Sequence, residues 1–167
     1  SQPDVKNDKL KNYKNHVLNC DIMKDRIRQD IESFIKSGKS VLCLVDEVAH
    51  GVELSKQLGI PFATGRDKQS QEYVEQLNAG KISGLVGTDS KVGEGTDTRN
   101  VDVLVMANFV AGKGPVIQAV GRGLRKQGLK TTCIVLDYIP TGSKMLQRHA
   151  YGRVDIYKEI TDKVRLV

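Results

Sequence analysis

The chain has 167 residues, 39% hydrophobic and 28% charged, enough for one domain with a sizeable core but too short for a complete two-domain motor. It is neither collagen-like nor low-complexity, no stretch approaches the roughly 18–20 apolar residues of a membrane span, and its first residues are too polar for a signal peptide. Lys and Arg outnumber Asp and Glu by 26 to 20, and the resulting +6 leans toward a polyanionic partner.

Residues 1–18 are Lys- and Asn-rich with too few apolar positions for a core face, and are expected to be a polar lead-in to a domain over 19–167. From Asp21 the pattern changes: Ile22, Ile27, Ile31, Phe34 and Ile35 fall at helical spacing, Asn19 or Asp21 can cap, and Gly38 stops the helix. Residues 41–45 (VLCLV) form a continuous apolar run, the pattern of a strand buried on both faces. A helix is expected over 48–58, ending before Gly59, then a short strand at 60–63. The next helix runs from Ser70 to Ala79 and stops at Gly80, and 82–87 is a strand. A Gly-rich polar loop covers 89–100 and 101–107 is a strand. Pro115 opens a helix to Lys126, at a position where its missing N–H costs nothing. Residues 131–138 are a β-branched strand, and a final helix follows over 143–161. Strands alternating with helices predict an α/β fold, a doubly wound, mostly parallel sheet with helices on both faces. The working residues of such a sheet lie beyond the carboxyl ends of its strands, here 46–51, 64–67, 88–97 and 108–125.

Several chemical signatures fail on inspection. Gly38-Lys39-Ser40 has the tail of a phosphate loop, but a helix precedes it and a strand follows, the reverse of the order that aims backbone N–H groups at phosphates. Asp46-Glu47-Val48-Ala49-His50 resembles a metal-binding carboxylate box with one residue too many; a helix start, where carboxylates suit the dipole, explains it better. His16, His50 and His149 lack metal-ligand spacing, and no metal site is expected. Cys20, Cys43 and Cys133 are far apart and without CxxC spacing, against a disulfide framework or zinc site and in keeping with a reducing compartment.

Gln118-Ala-Val-Gly121-Arg122-Gly-Leu-Arg125 carries the strongest signal. On a helix Gln118, Arg122 and Arg125 lie at i, i+4 and i+7, on one face. Gly121 and Gly123 cost a helix nearly 1 kcal/mol each relative to Ala, a cost that makes sense where another surface approaches closely. Two guanidiniums there suit a phosphate chain, because Arg offers a planar, permanently charged fork. Alone, the pattern fits a solvated basic face equally well. The second signal is the loop from Thr88 to Asp97, whose glycines permit close backbone approach and whose hydroxyls and carboxylates supply donors and acceptors.

Together, Gly95-Thr96-Asp97 and Gln118…Gly121-Arg122…Arg125 resemble motifs V and VI of the second, C-terminal RecA-like domain of superfamily 2 helicases and translocases. The strand 41–45 matches motif IV and Thr64-Gly65 the element that touches the nucleic-acid backbone, so the likeness runs in order over residues 20–160. Ala49-His50-Gly51, Leu136-Asp137-Tyr138-Ile139 and Arg153-Val154-Asp155-Ile156-Tyr157 are similar to the XPB-type branch, which includes UvsW-like phage helicases.

The resemblance implies an ATP-dependent DNA helicase or translocase, of which this chain is the second motor domain, in a DNA repair or recombination setting. Arg122 and Arg125 would be catalytic arginine fingers, with Gly95, Asp97, Gln118 and Gly121 close to the nucleotide. Thr64, Gly65, Thr88, Asp89, Ser90 and Lys91 would hold the sugar-phosphate backbone, a sequence-independent contact weakened by salt. The family's "TD" letters stand at Thr88-Asp89, whereas the register from Gly95 puts them on Asp89-Ser90. ATP with Mg²⁺ would be held mainly by an N-terminal RecA-like domain of the same protein that these residues do not include, so the chain alone is expected to be inactive. DNA is the expected partner, although nothing in the sequence reads the 2′-OH that would set RNA apart; no membrane is expected, and the expected location is cytoplasmic or nuclear, or the host cytoplasm for a phage protein. The alternative is a catalytically silent nucleic-acid-binding domain of the same fold, which would have no need of Gln118, Arg122 and Arg125 together.

Overall fold

The computed structural model describes residues 21–65, 67–88, 101–108, 133–140, 143–160 and 163–165. In chain order these form α1 (Asp21–Lys36), β1 (Val41–Val45), α2 (Val48–Leu58), β2 (Phe62–Ala63), α3 (Lys68–Asn78), β3 (Gly84–Thr88), β4 (Val103–Ala107), β5 (Ile134–Asp137) and α4 (Lys144–Ile160). The helix expected over 115–126 lies outside the described residues.

The five strands make one sheet in the order β2-β3-β1-β4-β5, and every pairing is parallel. β1 is central: Val41–Val45 pairs residue for residue with Gly84–Thr88 on one side and Val103–Ala107 on the other. Its unbroken apolar run follows from that position. Val41, Cys43 and Val45 face a cluster with Ile27 and Ile31 of α1 and Leu54 of α2. Leu42 and Leu44 face the opposite cluster with Leu77 of α3, Leu104 and Met106. Helices therefore cover both faces, as the sequence predicts. α4 serves both clusters: Leu146 belongs to the first, while Ile156 and Tyr157 pack against the second.

Element ends follow from local chemistry. Gly38, Gly59 and Gly80 follow three helices with φ of 80°, 66° and 72°, the left-handed conformation that L side chains resist, so the expected stops hold. β2 is shorter than the expected 60–63, because Pro61 has no N–H to donate; its carbonyl still accepts from Val86 N at 3.0 Å. α3 starts at Lys68 rather than Ser70, since the Asp67 carboxylate caps it through Ser70 N at 2.6 Å. β3 begins at Gly84 rather than 82 and β4 at Val103 rather than 101. β5 ends at Asp137, where the Tyr138 amide turns to that residue's own carboxylate at 2.8 Å.

A buried polar knot ties the edge strand to the last helix. Arg153, 6% exposed at its side chain, grips Asp137, 14% exposed, through Nε at 2.5 Å and Nη2 at 3.0 Å. The Tyr157 hydroxyl donates to the same carboxylate at 2.5 Å, and the Tyr138 hydroxyl reaches Asp30 of α1 at 2.9 Å. Burial, then the neighbouring carboxylates, push both phenols well above the usual tyrosine range, so they act as neutral donors.

α2 rests on β2 through the missing side chain of Gly51. A Cβ there would stand 2.6 Å from Cζ and 2.9 Å from Cδ2 of Phe62, too close without movement of the ring. Gly51→Ala is expected to lower stability by about 1–3 kcal/mol in urea unfolding, and Phe62→Leu in the same chain to recover most of it. An alanine variant as stable as the original would show that the ring moves freely and does not fix β2.

Candidate nucleic-acid interface

Parallel pairing sends every strand out at one edge. Ala63 is level with Gly87, and Val45 with both Thr88 and Ala107, so Thr64, Thr88, Asp46 and Asn108 stand together along the carboxyl ends of four adjacent strands. β1 leads away toward β2 and β4 toward β5, and diverging connections of this kind open a ligand crevice.

Thr64 is exposed at this edge and Gly65 half-buried. The Thr88 hydroxyl donates to the Thr64 carbonyl at 3.3 Å, joining the exits of β2 and β3. The Gly65 amide donates to the Ser70 hydroxyl oxygen at 3.4 Å, and Ser70, 4% exposed, is held in turn by the Asp67 cap. That bond to the Ser70 backbone, with a further one to its side chain, pulls the Asp67 carboxyl below its ordinary value. The turn is thus fixed from three sides.

Of the residues expected to work here, Thr64, Gly65 and Thr88 are brought together. Asp89, Ser90, Lys91, Gly95, Asp97, Gln118, Gly121, Arg122 and Arg125 lie outside the described residues. The segments holding them follow β3 and β4 in the chain.

The rejected signatures have structural explanations. Gly38-Lys39-Ser40 lies at the opposite edge, leading into β1, and the Ser40 amide is engaged by Asp102 Oδ2 at 2.8 Å. Glu47 is the residue before α2, extended and with no side-chain capping bond, and Asp46 precedes it in a bend. Among the described residues no three His, Cys, Asp or Glu side chains gather to hold a metal, and no helix is long and apolar enough to cross a membrane.

Two features escaped sequence reasoning. Asn108, directly after β4, is fully buried, and neither atom of its amide meets a partner among the described residues. A buried amide at the ligand edge of a sheet calls for a polar partner. Only the polar letter after an apolar run hints at it. The second is the Asp67–Ser70 cap, a single hydrogen bond that starts α3 two residues before the expected Ser70.

No family model matches the sequence, and a search of curated proteins gives no match. Solved structures do match. The crystal structure of T4 UvsW aligns over 95% of this chain and 38% of its own, with a TM-score of 0.64 and 21% identity. The C-terminal part of the Fun30 ATPase domain aligns over 84% of this chain and 54% of its own, with a TM-score of 0.58 and 10% identity. The fold is therefore an α/β RecA-like one, shared with these structures. The chain spans well under half of UvsW.

His50 gives this region a pH signature. It is 1% exposed in α2, and neither ring nitrogen has a partner among the described residues. Burial first, then the nearby Lys24 charge, lower its pKa from 6.5 to about 4, against a smaller opposing pull from Glu53. Between these values the unfolded chain takes up a proton that the folded chain refuses. Stability present above pH 6.5 is therefore lost as the pH falls toward 4. From pH 7 to 5 the expected loss is about 2 kcal/mol, read as a falling urea midpoint that His50→Leu flattens. An unchanged slope in that variant would assign the loss elsewhere.

Proposed function

We propose that this chain is the second motor domain of an ATP-dependent DNA helicase or translocase. The observation that carries the proposal is the pairing of Thr64 and Thr88 at the carboxyl edge of a helicase-type sheet. The sequence continues from that edge into Gly95-Thr96-Asp97 and Gln118…Arg125.

Arg122 and Arg125 act as arginine fingers, stabilising charge that develops on the γ-phosphate of ATP held, with Mg²⁺, on a first RecA-like domain. Gly95, Asp97, Gln118 and Gly121 complete this domain's side of the nucleotide cleft, where the Asn108 amide, without a partner among the described residues, suits a polar ligand. The Thr64-Gly65 turn and the segment that begins at Thr88 and runs through Asp89 and Ser90 to Lys91 line the path of the sugar-phosphate backbone. The +6 charge supports that grip through sequence-independent attraction. The setting that fits is DNA repair or recombination.

The test uses the full protein that carries this chain and follows ATP hydrolysis with and without DNA. DNA is expected to stimulate hydrolysis, and Arg122→Ala or Arg125→Ala to lower kcat by about 10³-fold or more while DNA affinity changes little. Full activity in either variant would overturn its finger assignment. No DNA-stimulated hydrolysis in the unsubstituted protein would leave the silent binding domain as the correct reading.

A further inference from the structure

Resting on that reading, we propose that Thr88 acts on the nucleic acid only through Thr64, as a positioning residue that aims the Thr64 hydroxyl at a backbone phosphate. The argument is one of proton inventory. A threonine hydroxyl has a single proton to donate, and a phosphate oxygen can only accept. The Thr88 proton is engaged by the Thr64 carbonyl at 3.3 Å, leaving lone pairs that repel a phosphate. While that bond stands, Thr88 cannot grip the backbone itself.

Two neighbouring backbone donors are engaged as well. The Gly65 amide points to the Ser70 hydroxyl at 3.4 Å, and the Ser70 amide to Asp67 at 2.6 Å. Asp67 thereby places its own carboxylate on the first turn of α3, where an external anion would otherwise be attracted. The Thr64 hydroxyl is different. Thr64 is exposed, and its side chain has no partner among the described residues. Among the described residues the turn therefore presents one free hydroxyl donor, and Thr88, Ser70 and Asp67 hold the backbone that carries it.

This arrangement also couples two loops. β2 is only two residues long, so little ladder pairing holds its exit in place. The Thr88–Thr64 bond supplies a tether to β3, whose five residues are firmly paired. The bond thus links the exits of two adjacent strands.

The test is a double-mutant cycle read by fluorescence anisotropy, with the chain titrated onto a labelled 40-nucleotide single-stranded DNA in low-salt buffer. Thr64→Ala removes the donor but keeps the carbonyl, and is expected to weaken binding about tenfold. Thr88→Val keeps shape but removes the tether, and is expected to weaken binding several-fold, with Thr88→Ser restoring it. The double variant is expected to bind no more weakly than Thr64→Ala alone, since Thr88 has nothing left to aim. A purely structural role would move the urea midpoint without this non-additivity, and Thr88→Ala repeats the cycle if the valine variant does not fold. Penalties that multiply in the double variant would show Thr88 touching DNA directly and overturn the proposal, as would unimpaired binding by Thr88→Val. Unimpaired binding by Thr64→Ala would instead overturn the nucleic-acid reading of the turn itself.

Discussion

Parallel strand pairing is the constraint on which the molecule depends. Because all five strands run the same way, each connection must cross a face of the sheet, and each strand releases the chain at the same edge. The central strand is consequently shut in by neighbours on both sides and helices on both faces, which only an unbroken apolar run can satisfy. The same rule gathers Thr64, Thr88, Asp46 and Asn108, from distant parts of the sequence, into a single row.

The far edge of the sheet is secured differently. β5 is an edge strand, with Ile134 exposed, and is held less by apolar burial than by the polar knot at its end. Both carboxylate oxygens of Asp137 are engaged by Arg153, and Tyr157 and the Tyr138 amide add two more donors. A buried pair so fully hydrogen-bonded offsets its desolvation, whereas removal of one partner strands the other at a cost of about 3–5 kcal/mol. The knot fixes α4 across β5, and through Tyr138 and Asp30 it reaches α1.

Much of this was legible in the sequence, for physical reasons that differ by element. β1 and β4 could be read because doubly buried strands must be continuously apolar, and the helix stops at Gly59 and Gly80 because their left-handed conformation favours glycine. The boundaries of β2 and α3 were not, since Pro61 and the Asp67 cap act on single hydrogen bonds that no periodicity reports. Three segments that carry the family likeness turn out to be packing devices. Gly51 makes room for Phe62, His50 is sealed in the core, and the Asp137–Tyr138 and Arg153–Tyr157 segments bind one another. The Thr88 bond to the Thr64 carbonyl was not legible either, because the direction of a hydroxyl proton depends on a neighbour 24 positions away.

The central claim is that nucleic acid runs along the carboxyl edge of the sheet, and site-specific photocrosslinking tests it directly. A photoreactive residue replaces Thr64 at that edge or, in separate proteins, the exposed Lys39 or Lys81 at the opposite edge, and each is irradiated with labelled single-stranded DNA. The account predicts a strong, salt-sensitive crosslink from position 64 and background levels from 39 and 81. Equal crosslinking at all three, or crosslinking chiefly from 39 and 81, would contradict it.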